Sequence, residues 1–392
     1  MRPRPRRLLH PLGRRRQPAM EPPEPGLLCR LRSRLARRAP WLRHGFSSPR
    51  APGPKRRLLA AGLSCCTVLA LYAASSPRDL PPVWGRGNDE GDEPVTVLMW
   101  WEPFGESQRL GGCQRRFGIR ACNVTTDRGR QLEAQAVVFH HRNLITSGLR
   151  HLPRVRPPGQ RWVWMNLESP THTQSLQDRA GIFNWTMSYR VDSDIFVPYG
   201  YLRPSQTPAP HLSMPRKTKL VAWVISNWNE GQARVRYYRQ LMDHLPIDVY
   251  GAHGLELKDN SVLKTVSEYK FYLAFENSQH PDYITEKLWR NAFTSWAVPV
   301  VLGPARSNYE LFIPSDSFIH IDDFPGPRQL ALYLKFLDKN KSRYQSYFAW
   351  RKRYDVHVTS FWEEHSCRVC DAVRTAGKQA KTIQNLATWF ES

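Results

Sequence analysis

The chain has 392 residues, 41% of them apolar, enough for one large or two medium domains with real cores. Its net charge of +23 invites a nucleic-acid reading, but residues 1–57 hold 17 Lys/Arg against Glu21 and Glu24, leaving +8 for the rest. With no finger, basic zipper or RNA-binding aromatic pair, no nucleic-acid partner is expected.

Residues 1–57, rich in Arg and Pro and without apolar periodicity, read as a disordered cytosolic tail. Residues 58–74 are uncharged and largely apolar, between Lys55-Arg56-Arg57 and Arg78-Asp79. As a helix this run covers roughly 26 Å, suited to the thinner membranes of the early secretory pathway. The positive-inside bias then leaves the amino terminus in the cytosol and everything after residue 75 in the lumen. Cleavage at Ala73-Ala74-Ser75 is the rival reading, but a basic preface of this length favours an uncleaved signal anchor. Met20 is an alternative start. Residues 75–94, with Pro, Gly and acids, read as a stem.

Folded sequence begins at the buried-strand pattern Val95–Trp100, and Ala134–His140 and Trp162–Leu167 are further apolar strands. The proline-punctuated stretch Pro204–Pro215 is read as a linker. It divides a first lobe over 95–210 from a second over 211–392 that carries the C-terminal helices. In the second lobe strands are expected at Leu220–Ser226, Ile247–Tyr250, Tyr272–Phe275, Val298–Leu302 and Phe318–Ile321. Helices are expected at Gln232–His244, Tyr283–Thr294 and Arg328–Asp338. That alternation predicts an α/β protein with parallel sheets covered on both faces.

A lumenal position makes disulfides the natural state of Cys113, Cys122, Cys367 and Cys370, whereas Cys29, Cys65 and Cys66 fall in the tail and span. Spacing points to Cys113–Cys122 and Cys367–Cys370, each closing a short loop; a redox pair or half a zinc site is the alternative for the Cys-x-x-Cys. Asn123, Asn184 and Asn340 head glycosylation triplets that fit a lumenal chain.

The most informative stretch is 271–292. An aromatic-apolar run ends at Glu276-Asn277, a polar loop follows, and a helix is expected from about Asp282, with Glu286 and Lys287 in its first turns. A strand feeding a helix amino terminus makes an anion pocket, and an added lysine suggests phosphate. Such a turn is common in α/β enzymes.

The same stretch closely resembles the signature of the α1,3-fucosyltransferases, Golgi enzymes that move L-fucose from GDP-fucose onto N-acetylglucosamine in lactosamine chains. The resemblance runs from about Val95 to the C-terminus, through Trp100–Phe104, Phe139–Arg142, Trp162–His172, Asp192–Gly200, Ala233–Tyr238 and Val298–Pro304. It implies a GT-B fold, two Rossmann-like lobes facing across a cleft, here preceded by a single transmembrane helix. It also implies a single-pass type II Golgi membrane protein with a lumenal catalytic domain and Lewis x or sialyl-Lewis x type products. GDP-fucose, N-acetyllactosamine glycans and the Golgi membrane are the expected partners. No cofactor is expected; a divalent cation is at most stimulatory. A catalytically inactive carbohydrate-binding protein of the same fold is the alternative, and a transferase using another GDP-sugar is a third possibility.

Transfer from a β-linked donor to an α-linked product inverts the anomeric centre, so one base and a cationic cradle for the departing diphosphate suffice. Glu168 closes the strand Arg161–Leu167 and matches the family's catalytic glutamate. Read alone, an acid after a strand is more often a solvated loop residue. Arg234 and Lys287 match donor-contacting positions, although two helix-surface cations would be the blander reading. Ser226 and Asn227 are assigned to phosphate or ribose, Glu276 and Asn277 to fucose hydroxyls, Tyr283 and Glu286 to ribose or sugar, and Tyr250 to the nucleobase. Phe104, Glu106 and Tyr199 are acceptor-side candidates. Asp192-Ser193-Asp194 has the form of a metal–nucleotide motif but lies in the first lobe and is read as structural. His140-His141, a pair without a third nearby partner, is not read as a metal site.

Overall fold

In the computed structural model, the described residues are 93–102, 110–205, 214–252, 254–377 and 381–392. The tail, the proposed span, nearly all of the stem, the centre of the Pro204–Pro215 linker, Phe104 and Glu106 lie outside them. Among the described residues no helix is long and apolar enough to cross a membrane.

The first sheet holds β1 (Val95–Met99), β2 (Cys122–Thr125), β3 (Ala136–His140), β4 (Arg161–Met165), β5 (Trp185–Ser188) and β6 (Ile195–Phe196). Their order is β2-β1-β3-β4-β5-β6, with every neighbour parallel. β1 and β3 are buried at every position, which is why they read as continuous apolar runs without alternation. After β7 (Gly200–Pro204), the second sheet takes β8 (Lys219–Val224), β9 (Asp248–Tyr250), β10 (Tyr269–Phe275), β11 (Val298–Leu302) and β12 (Ile319–His320) in the order β12-β11-β10-β8-β9, again parallel. Counted within its own lobe, the first sheet runs 2-1-3-4-5-6 and the second 2-1-3-4-5, the doubly wound pattern whose ligands bind where the order reverses. In the second sheet that reversal lies between β8 and β10.

Three features depart from the sequence reading. The C-terminal helices Glu363–Thr375 and Leu386–Glu391, placed in the second lobe, bury Cys367, Val369, Cys370, Leu386 and Phe390 in the first lobe's core. The return path runs through β13 (Tyr354–Val358), antiparallel to β7. The disulfides are accordingly Cys113–Cys367 and Cys122–Cys370, spanning 254 and 248 residues, and neither local pair forms. The helix Glu363–Thr375 carries Cys367 and Cys370 against β1 and β2, where Cys113 and Cys122 take their sulfurs. Third, Asn184, read from its triplet as an exposed glycosylation acceptor, is turned inward in the fold. It is 6% exposed, its Oδ1 accepts from Trp162 N at 2.7 Å, and its Nδ2 donates to Lys381 O at 2.7 Å. Asn123 is exposed.

Candidate active site

Glu168 lies just beyond the carboxyl end of β4 and is exposed. Its Oε1 accepts three hydrogen bonds: from Tyr283 OH at 2.7 Å, Ser169 N at 2.9 Å and Asn277 Nδ2 at 3.3 Å. Two of these donors come from the second lobe, so this carboxylate sits at the junction between the sheets. The junction is tightened by Ser278 Oγ donating to Ser169 Oγ (2.7 Å), Thr171 Oγ1 against His280 Nε2 (2.7 Å) and Val191 N donating to Asp282 Oδ2 (3.0 Å).

Beneath the junction, the turn after β10 is built around a buried carboxylate. Glu276 is 1% exposed; Thr285 N donates to its Oε1 at 2.9 Å, and Thr285 Oγ1 lies 3.0 Å and 2.9 Å from its two oxygens. Lys287 Nζ completes the cluster, 2.9 Å from Glu276 Oε2, 2.8 Å from Thr285 Oγ1 and 3.3 Å from Glu286 Oε1. Burial pushes the Glu276 carboxyl up while Lys287 pulls it back. Burial also opposes charge on Lys287, yet Glu276 and Glu286 hold that ammonium above the usual lysine range. For Glu286 burial raises the carboxyl, but the Lys287 charge and hydrogen bonds from Thr285 and Lys287 together bring it below the usual range. Glu276 is thus turned inward, away from the sugar-contacting role expected of it, and serves as the anchor of Lys287.

The helix here begins later than expected. Asp282 is left-handed (φ 63°) and held by Asn308 through bonds of 2.9 Å and 2.8 Å, so the chain turns sharply before the helical run Lys287–Phe293, which is π-helical. The Thr285 N–H at this start already holds an anion, the side chain of Glu276. Gly303, just after β11, has no room for a side chain: a Cβ would overlap the Tyr309 hydroxyl and crowd Glu276 Cγ at 3.2 Å.

Across the order reversal, β8 leads into Ser226 and Asn227, both exposed, and then the helix Ala233–Leu241. Arg234, 4% exposed, donates from Nε to Gln232 Oε1 (2.8 Å) and from a terminal nitrogen to Asn227 O (2.7 Å). Burial lowers its guanidinium from the usual range, and Glu276, Tyr283 and Glu168 are among the negative or polar groups that restore it. Arg234, Lys287, Tyr283, Asn277, Glu276 and Glu168 therefore belong to one electrostatic neighbourhood. Tyr283 is 3% exposed, and burial followed by Tyr199 and Glu168 keeps its phenol protonated far above neutrality. The Tyr199 hydroxyl donates to Leu167 O at 2.6 Å, setting its half-buried ring beside Glu168.

Tyr250 is not brought here. Its hydroxyl lies 2.6 Å from Tyr269 OH and 3.5 Å from Lys219 Nζ, toward the amino-terminal ends of β10 and β8 and away from the Glu168 cluster. The Asp-Ser-Asp carboxylates are committed elsewhere: Asp192 to Arg190 and Trp389, Asp194 to Thr186 and Lys381. His141 is bonded through both ring nitrogens, to Gln174 O and Trp164 Nε1. Thr285 and Ser278 were missed from sequence because hydroxyl residues in a polar loop carry no signal of which carboxylate or hydroxyl they face.

Two family models match the chain: "Fucosyltransferase, N-terminal" over residues 92–200, and "Glycosyltransferase family 10 (fucosyltransferase) C-term" over 214–389. Alpha-(1,3)-fucosyltransferase 4 of Bos taurus is 50% identical over 90% of this chain and 100% of its own length. The Homo sapiens protein of that name is 51% identical over 85% of this chain and 71% of its own. The 4-galactosyl-N-acetylglucosaminide 3-alpha-L-fucosyltransferase 9 of Rattus norvegicus is 49% identical, covering 82% and 88%. A crystal structure titled alpha1,3-fucosyltransferase aligns at 17% identity with a TM-score of 0.47, over 78% of this chain and 91% of the other, and no conclusion is drawn from it. On the sequence matches, the chain belongs to glycosyltransferase family 10, the fucosyltransferases.

Proposed function

We propose that the chain is an inverting transferase moving L-fucose from GDP-β-L-fucose to O3 of N-acetylglucosamine in N-acetyllactosamine chains, giving Lewis x or sialyl-Lewis x type products. The printed names of its half-identical relatives support the reaction. The observation that carries the mechanism is the meeting, at the lobe junction, of the Glu168 carboxylate with Tyr283 and Asn277 of the loop that also bears Lys287.

GDP-fucose is placed at the reversal of the second sheet, its diphosphate toward Arg234 and Lys287 and its ribose or phosphates beside Ser226 and Asn227. Glu168 takes the proton from the acceptor O3 as that oxygen bonds to the anomeric carbon from the face opposite the diphosphate. The bond to the β-phosphate oxygen breaks in the same displacement, and GDP leaves with its charge met by the two cations. Tyr283, Ser169 N and Asn277 fix Oε1 of the base, so little reorganisation is needed at reaction. Tyr199, with Phe104 and Glu106, forms the acceptor side.

Two lobes of this kind facing a shared cleft correspond to the GT-B arrangement. No resident cofactor is invoked: GDP-fucose is a co-substrate, and a divalent cation is at most stimulatory beside Lys287 and Arg234. The basic residues 1–57 and the apolar run 58–74 support a type II Golgi membrane protein with residues after 75 in the lumen.

The test is Glu168→Gln. Turnover with GDP-fucose and lactosamine should fall by ~10²–10⁴-fold while GDP affinity is retained. A variant keeping more than about a tenth of the wild-type rate removes Glu168 from the role of base.

A further inference from the structure

A cavity lies apart from the Glu168 cluster, at the lateral edge of the second sheet beside β12. Its volume is about 400 Å³, within the ~300–1,000 Å³ range of small-ligand sites. Buried Phe318 forms part of its floor, and the half-buried rings of Phe324, Tyr333 and Tyr347 line it. The Phe324 and Tyr333 rings are 5.3 Å apart, and the Tyr333 and Tyr347 hydroxyls 2.8 Å.

The charges around these rings cancel, with Arg306 and Arg343 against Asp316 and Asp323. Arg306 is already committed: it bonds Glu310 at 2.9 Å and Ser315 O at 2.7 Å, pairs with Asp323, and lies over the Phe318 ring at 4.7 Å. An anion would meet two carboxylates here, and a cation two guanidiniums. The lining suits a neutral molecule whose groups both donate and accept hydrogen bonds and whose apolar faces lie on rings. Those are the properties of a saccharide.

Asn340 indicates where one comes from. It caps the helix Lys341–Ser346, its Oδ1 accepting from Arg343 N at 3.1 Å. Asn340, Arg343 and Tyr347 follow one helical face, and the last two line the cavity. Asn340 also heads the triplet Asn340-Lys341-Ser342, so a glycan attached there starts three residues before the cavity-lining Arg343.

We infer that this cavity is a saccharide-binding site for a neutral hexose or N-acetylhexosamine unit, distinct from the transfer site. The unit comes from a glycan on Asn340 or from a remote part of a long lactosamine chain.

Hydrogen–deuterium exchange on the full chain produced in a glycosylating cell distinguishes the sources. If Asn340 supplies the unit, Ser342→Ala, which removes the triplet and keeps the Asn340 cap, raises exchange over residues 324–347 several-fold, and the free pentasaccharide core Man3GlcNAc2 lowers it again. If the long acceptor supplies it, Ser342→Ala changes nothing and an oligomer of four lactosamine units protects 324–347, including in Glu168→Gln. In either case Arg343→Ala, at an exposed position, weakens the protection at least tenfold without lowering transfer to a short acceptor; Ser346→Ala is a second exposed variant. The inference is overturned if neither saccharide protects 324–347 in Ser342→Ala, or if both surface variants are protected as well as the parent.

Discussion

Two disulfides that link residues about 250 apart make a quantitative prediction different from that of two local ones. With the chain-entropy relation, closing the 254 residues between Cys113 and Cys367 is worth ~5–6 kcal/mol. Once that bridge exists, Cys122–Cys370 adds a loop of only nine residues on one side and three on the other, worth ~3 kcal/mol by the same relation. Either bridge therefore substitutes for about half of the other. Removing one pair by alanine substitution should cost ~3 kcal/mol, whichever pair is chosen, and removing both ~8 kcal/mol, a joint loss that exceeds the sum of the single losses by roughly 2–3 kcal/mol. A total near 8 kcal/mol approaches the whole stability of a typical domain, ~5–15 kcal/mol, so the chain lacking all four cysteines should accumulate poorly as folded protein. Urea unfolding of the two double-alanine variants gives the single losses. Non-reducing peptide mapping should join the 113 and 122 segments to 367 and 370. Additive losses, or a map joining Cys113 to Cys122, would refute the reasoning.

The buried histidines predict a pH dependence. Burial, ahead of neighbouring charges, lowers both His141 and His365 to about 4. The unfolded chain protonates near 6.5, so their contribution is complete above about pH 6.5, falls as the pH drops toward 4 and is flat below, by ~3 kcal/mol each; urea midpoints that stay level from pH 7 to 4 would contradict it. Thr285→Val deletes the hydroxyl shared by Glu276 and Lys287 while keeping shape, and should lower kcat/KM about tenfold, the ~1–3 kcal/mol of a lost buried hydrogen bond. Thr285→Ser should restore most of that activity, and equal rates for Val and Ser would dissociate the hydroxyl from Lys287. Glycopeptide analysis should find Asn184 unmodified, and Asn184→Ala should cost ~2–3 kcal/mol because the Trp162 N–H it satisfies is buried; a glycan on Asn184 in folded protein would overturn that assignment.

Much of the second lobe was legible because its strands are locally encoded. Val298–Leu302 coincides with β11, and the predicted strand at Tyr272–Phe275 lies inside β10, since buried parallel strands leave unbroken apolar runs. The helices Gln232–His244 and Arg328–Asp338 differ from the observed Ala233–Leu241 and Pro327–Lys339 only at their ends. Glu168 was singled out chiefly through the motif string around it, whereas for Lys287 the string sharpened a weaker physical signal, a lysine at a strand-to-helix turn.

By itself, the sequence determined the alternation of strands and helices, the charge asymmetry and the family strings, because each is carried by neighbours within a few residues. The tertiary structure alone decided which cysteines meet, that Asn184 is sealed between β4 and β5, that Glu276 faces inward to hold Lys287, and that Tyr283 reaches Glu168. Those are contacts between residues from nine to about 250 positions apart. Their partners are chosen by the packing of one sheet's edge against another, and no local pattern of residues records that choice.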